Sequence, residues 1–250
     1  MRPTVYYEPR LTLLSVPSFT NPEHLPGAFV GESAPIERLS EYAGRVCYMS
    51  QANPANKTTG EYLRHILELG HGSVLEHGQF SYLIEGVSRA LTHELIRHRV
   101  GTSVSQLSQR FVDESDTAFV CPPEIAKYPK LEARWLASCE YALTQYQVLC
   151  QALQERMADA SESATTRRKR VREAARAVLP NCVETKLVWS CNLRELRHVL
   201  MLRGSPHADL EIQQFAKALL DITRPHAPGA LDDLSYTTAT GIVSSLFPSS

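Results

Sequence analysis

The apolar positions change period along the chain, and the changes mark its elements. Leu11 to Val16 reads as a short strand, followed over 18–35 by a Pro-, Gly- and Ser-rich stretch that reads as a loop. Helical spacing then occupies Ile36–Met49 and Thr59–Leu69. His77–Ile84 alternates, with Phe80, Tyr82 and Ile84 on one face, and predicts a strand. From Ser88 to Arg99 the period is helical again. Val87, Leu91 and Leu95 form an apolar stripe there, and Arg89, His93 and Arg97 a second one. Gly101-Thr102 is expected to end that helix, and Pro122-Pro123 marks another break.

The clearest helix spans Leu131–Met157, where Leu131, Trp135, Cys139, Leu143, Tyr146, Cys150, Leu153 and Met157 recur at three- and four-residue steps. That stripe predicts packing, with a subunit contact as one use. After Asp159–Ser163 a basic helix is expected as far as Leu179, stopped by Pro180-Asn181. Cys182–Ser190 reads as a strand, Asn192–Arg203 as a helix broken by Gly204 and Pro206, and His207–Ile222 as the last long helix. The mixture predicts an α+β fold: a single catalytic domain over 1–250, with a central sheet, long packing helices and a flexible tail from about 244.

Composition narrows the chemistry by exclusion. Lys and Arg number 26 against 27 Asp and Glu, so the net charge is −1 and no global field draws nucleic acid or a membrane. Anion recognition must come from local clusters. No apolar run approaches a membrane span, and the opening residues do not read as a signal peptide. Six cysteines without a C-x-x-C pair read as reduced thiols rather than a disulfide framework or zinc site. A soluble, cytoplasmic protein is expected.

Four clusters stand out locally. Arg97-His98-Arg99 concentrates cations beside Arg89. Alone, it reads equally well as a solvated helix end favoured by the helix dipole. The stretch behind it, Val100 to Arg110, adds hydroxyls, amides and a further arginine around Gly101. These groups bind phosphate and base edges. His71-Gly72-Ser73-Val74-Leu75-Glu76-His77 could supply ligands or a base, but reads better as a structural, capped turn. His93-Glu94…His98 is no zincin, because the second histidine stands at i+5 rather than i+4 and leaves the helix face. No metal is expected. In Asn192-Leu193-Arg194…Arg197-His198…Arg203, Arg194 and His198 share a face, whereas Arg203 lies about half a turn away. Arg167 to Arg176 is a basic run without interleaved aromatics. It supports a solvated face better than nucleic-acid stacking, with Arg176 as an inward-facing candidate.

Taken in order, these segments resemble the flavin-dependent thymidylate synthases. The resemblance runs from about Arg45 to Leu231. It rests on Arg45-Val46-Cys47-Tyr48, Gly70 to His77, Ser88 to Arg99, Ser105-Gln106-Leu107-Ser108-Gln109-Arg110, Ala174 to Asn181, and Asn192-x-Arg194…His198…Arg203. It implies a homotetrameric flavoprotein methyltransferase whose active sites each draw on more than one subunit. The implied reaction converts dUMP to dTMP, with FAD as hydride carrier, NADPH as reductant and methylenetetrahydrofolate as carbon donor. By the same resemblance Ser73, Arg97, His98, Arg99, Gln106, Asn192, Arg194 and His198 would contact the flavin. Glu94, Leu95, Ile96 and Arg97 would border the dUMP pocket from one subunit. Gln106, Leu107, Ser108, Gln109 and Arg110 would wrap the nucleotide from another. Arg176 would also hold dUMP, and Arg203 would lie against the uracil as the catalytic arginine. Eight residues separate Arg99 from Ser108, one more than the family's usual pattern. A bulge near Gly101-Thr102 would absorb the extra residue. Two alternatives stand beside this reading: a related flavoenzyme for another pyrimidine nucleotide, and a nucleic-acid-binding protein using the basic run.

Overall fold

The computed structural model describes residues 2–53, 56–157 and 162–246. Its strands are β1 (Val5–Tyr6), β2 (Arg10–Ser15), β3 (Gln79–Ser88), β4 (Thr102–Gln106), β5 (Phe119–Val120), β6 (Glu184–Asn192), β7 (Leu234–Thr237) and β8 (Gly241–Ser244). Its helices are α1 (Pro35–Val46), α2 (Thr59–Glu68), α3 (Arg89–Leu95), α4 (Pro123–Ala126), α5 (Pro129–Arg156), α6 (Ala164–Ala175), α7 (Leu193–Arg203), α8 (Leu210–Thr223) and α9 (Pro228–Leu231). Helix and sheet are mixed, as expected for α+β.

The chain divides into two compact units. One comprises 2–10, 85–95 and 105–187, and the other 11–84, 96–104 and 188–246. A four-stranded sheet has the order β2-β3-β6-β4. Alternation along β3 buries Phe80, Tyr82 and Ile84 completely, and Trp189 on β6 stacks on Tyr82 with ring centroids 6.0 Å apart. Phe215 of α8 meets Trp189 edge-on, and the Tyr82 hydroxyl is satisfied by Thr223 at 2.7 Å. The Tyr82 hydroxyl is thus paired within the core, whereas Trp189 Nε1 is buried with no partner among the described residues. The antiparallel pair β7–β8 runs from Leu234↔Ser244 to Thr237↔Gly241 and was not foreseen. Ser244 thus closes a strand, and the Ser245 N–H donates to the Asp233 carbonyl at 2.8 Å. Residues 247–250 of the expected tail lie outside the described residues.

The first unit builds around Phe119, Cys139, Leu143 and Val183, with Trp135, Leu179 and Cys182 packed against them. Strand β1 pairs in parallel with β5, Val5 opposite Phe119 and Tyr6 opposite Val120. Helix α5 buries Cys139, Leu143 and Tyr146, the middle of the expected stripe, together with Leu136, which lies beside it, while Leu131 is 52% exposed. Helix α6 starts at a Ser163 cap whose hydroxyl accepts from the Thr166 N–H at 3.2 Å. The expected boundary at Asp159 lies outside the described residues. All six cysteines are free thiols.

One expected helix is corrected. Strand β3 runs on to Ser88, whose hydroxyl accepts from the Leu91 N–H at 3.0 Å and starts α3 at Arg89. The helix then ends at Leu95, not Arg99. Arg97-His98-Arg99 is therefore no helix end, and the helix-dipole account of its cations does not apply. Thr102–Gln106, expected as loop, is the strand β4.

Candidate active site

Helix α7 organises the functional residues of the second unit. Asn192 is its N-cap, its Oδ1 accepting from the Glu195 N–H at 2.9 Å. The Asn192 N–H in turn donates to the Gly101 carbonyl at 2.9 Å. Gly101 has φ +66°, and an added Cβ would overlap the Asn192 amide. Only glycine fits that turn without strain. It lies in the stretch where the extra residue before Ser108 falls.

His98 is 6% exposed and both its ring nitrogens are engaged. Nδ1 lies 2.9 Å from Glu195 Oε1, and Arg203 Nε donates to Nε2 at 3.0 Å. Burial, first, and the adjacent Arg203 cation push His98 below the usual imidazole range, against the pull of Glu195. The His198 ring stands edge-on at 5.4 Å. His98, Glu195 and His198 bring three potential ligand atoms within 4.8 Å of one another. Yet both His98 nitrogens are committed and a guanidinium sits against one of them, so Glu195, His98 and Arg203 form a hydrogen-bonded chain that leaves His98 no lone pair for a cation.

Arg194 and His198, expected to share a face, line one cavity of about 210 Å³ with Gly70, Gly72, Leu75 and Arg197. A side chain at Gly72 would press on Arg194 Nε at 3.2 Å, so the glycine leaves room for the guanidinium. Arg194 is steadied by Glu76 at 2.5 Å. The His71–His77 segment thus supplies a carboxylate as well as the buried Val74 and Leu75. Ser73, Arg97 and Arg99 are exposed, and Ile96 is 41% exposed. Arg197, named in the Asn192–Arg203 cluster without a role, is buried and grips Asp233 through both terminal nitrogens at 2.6 and 2.7 Å. Ser244 adds a bond to the same carboxylate at 2.5 Å.

The first unit holds a separate polar group. The Gln106 amide donates to Thr92 and Thr185, both at 3.2 Å, and the Leu107 N–H donates to the Lys186 carbonyl at 2.9 Å. These bonds fix where β4 hands over to the loop. Ser108 and Arg110 are half-buried, and Arg110 pairs with Glu173 at 3.0 Å. Gln109 is 6% exposed, and its Nε2 has no partner among the described residues; Arg89 Nη1 and Glu114 Oε1 are likewise buried and unbonded. Burial and the neighbouring Arg176 lower Arg89, with Glu114 opposing. Such unbonded polar atoms, two donors and one acceptor, mark a place that suits a polar ligand. Glu94 is half-buried, whereas Leu95 is wholly buried core. The basic run is largely spoken for: Arg172 bonds the Phe111 carbonyl and Asp113, Arg170 bonds Glu162, and Lys169 lies over the Phe111 ring. Arg176 stands in the turn that follows α6.

Glu195 escaped the sequence reading, and Glu76 was named there only within the His71–His77 cluster. Glu195 stands three residues after Asn192, the spacing of a capping box. That pattern would have assigned its carboxylate back to the cap N–H, which Gly101 already holds.

Comparison with known proteins bears on these residues together. Residues 30–229 match the family described as thymidylate synthase complementing protein. A flavin-dependent thymidylate synthase of Mycobacterium marinum is 42% identical over 231 residues, covering 92% of this chain and 91% of that protein. One from Mycolicibacterium gilvum is 46% identical over 201 residues, 80% of each chain.

Proposed function

This chain belongs to the flavin-dependent thymidylate synthase family, and from that premise we propose that it methylates dUMP at C5 to give dTMP. In this reading FAD is the bound cofactor, NADPH the reductant and methylenetetrahydrofolate the carbon donor. The working form is a cytoplasmic homotetramer whose active sites take residues from more than one subunit. Each chain contributes one catalytic domain.

The observation that carries this reading is the donor set around α7. Arg194, His198 and Arg203 are cations or imidazoles gathered at one helix, with His98 bonded behind Arg203. Gly72 leaves space beside Arg194. That set suits an anionic, acceptor-rich cofactor such as FAD. Arg194, His198 and Asn192 would hold it, with Ser73, Arg97, Arg99 and Gln106 as further contacts. When bound, FAD supplies the hydride, so the folate leaves as tetrahydrofolate.

The nucleotide falls to the loop. The Ser108 hydroxyl, backbone N–H groups and Arg110 would receive the phosphate, with Leu107 and Gln109 alongside and Arg176 as a second cation. Glu94 to Arg97 would border the pocket. The buried, unbonded Gln109 amide supports this assignment, since a bound nucleotide supplies the missing acceptor. Arg203 stays protonated throughout and would stabilise negative charge developing on the uracil. Ser108 Oγ meets the Arg110 N–H at 3.4 Å, a contact that supplies no base, so Ser108 acts as a ligand rather than a nucleophile.

Tritium release from dUMP labelled at C5 tests the reading. Purified protein receives FAD, NADPH and methylenetetrahydrofolate, with each omitted in turn. Release that needs all three is expected. Flavin-loaded protein that releases none overturns the choice of nucleotide, and protein that never holds flavin overturns the whole reading.

A further inference from the structure

We infer that Glu195 and His98 act in series as positioning residues that aim the Arg203 guanidinium, and that His98 is held as the neutral, Nδ1-protonated tautomer. The bonding leaves little choice. A guanidinium only donates, so the nitrogen that receives Arg203 Nε at 3.0 Å must be bare. That nitrogen is Nε2, and a neutral ring then carries its single proton on Nδ1. Nδ1 faces Glu195 Oε1 at 2.9 Å, and a carboxylate only accepts. Each bond therefore requires the other, and the ring is fixed in tautomer and orientation together.

Glu195 is available for this because its usual duty is closed. As the third residue of α7 it would reach back to the cap N–H, but Asn192 N–H is bonded to Gly101 O. The side chains of His98 and Glu195 are 4% and 13% exposed, so water competes little for either bond. A bond at Nε sets the plane of the Arg203 fork, the variable that matters if the fork is to lie along a flat pyrimidine. The charged or titratable groups acting on the ring are Glu195, Arg203 and His198. Lowered by burial, His98 stays neutral at working pH. Protonation would put a proton on Nε2 and expel Arg203.

The role of Arg203 at the uracil rests on the proposed function; the tautomer and the bond do not. Two substitutions divide the ring. His98→Asn places an amide near Nδ1 and keeps a partner for Glu195, whereas His98→Gln places its oxygen near Nε2 and keeps an acceptor for Arg203. With wild-type tritium release established, His98→Gln is expected to keep kcat within about tenfold. His98→Asn should lose about a hundredfold, both variants retaining flavin by visible absorbance. Glu195→Gln removes the charge that favours imidazolium, so the acid limb of kcat should move to lower pH. Equal losses in the two His98 variants, or an unmoved acid limb, overturn the proposal. If wild type releases no tritium, the proposed function falls, and the tautomer still decides the bonding. Nitrogen NMR of the full chain labelled with 15N-histidine should show a Nδ1-protonated ring that disappears in His98→Gln. A Nε2-protonated His98 overturns the inference whatever the enzyme does.

Discussion

Arg197 and Arg110 each meet a carboxylate, Asp233 at 2.6 Å and Glu173 at 3.0 Å, but the first pair is 5% and 6% exposed and the second 40% and 48%. The difference separates two ways of using arginine. Around α7 the cations are wired into buried networks: Arg197 to Asp233 and the Ala230 carbonyl, Arg203 to His98 and on to Glu195. Their geometry is set before any ligand arrives, and breaking one bond strands a charge in a poorly solvated place. In the loop, Arg110 has a solvent-screened partner worth at most about 1 kcal/mol. It can exchange Glu173 for a phosphate at little cost. A site that must aim at a reacting ring gains from the first arrangement, and one that must admit and release a nucleotide gains from the second.

The contrast breaks first if the buried pair proves dispensable. Asp233→Ala should cost about 3–5 kcal/mol in denaturant unfolding, because Arg197 remains buried and unpaired. Burial alone would raise the Asp233 pKa, but the bonds from Arg197 and Ser244 outweigh it and hold the carboxyl below its usual range. Stability from this pair is therefore complete above about pH 3.9, the ordinary value. It drains as pH falls through the lower native one. The Asp233→Ala protein should lack that acid arm of the stability curve.

Next in size, Arg203→Ala should lower tritium release by about 10²–10³-fold with a thermal melt close to wild type. Wild-type turnover would refute the uracil role. Gly101→Ala should cost about 2 kcal/mol, since it forces a left-handed backbone on alanine and displaces the Asn192 cap; a thermal melt measures it. Arg110→Ala should be the mildest. Stability should change by less than about 0.5 kcal/mol, while the dUMP concentration for half-maximal rate rises about tenfold and flavin stays bound. Flavin loss in that variant would erase the distinction between the two regions.

Much of the fold was legible because its signals are local. The β3 alternation, the break at Pro180 and the α5 stripe are each set by neighbours within a turn or two. Errors came where local signals compete. Arg89 to Arg97 reads as a continuous helix face by spacing, yet α3 stops at Leu95 and His98 turns inward to partners about a hundred residues away. The β7–β8 pair was invisible because Leu234–Ser244 is short, polar and glycine-bearing, and gains its order from pairing and from Asp233.

The sequence by itself determined which residue types stand ready: arginines, a glycine at the 101 turn, an asparagine where α7 begins and the apolar periods that build each element. Only the tertiary structure decided which of those groups meet. Glu195 faces His98 because Gly101 occupies the cap N–H first, and Arg203 finds Nε2 because burial keeps that ring neutral. Partner choice of that kind depends on distances between remote segments and on the exclusion of water, neither of which is encoded in any one stretch of chain.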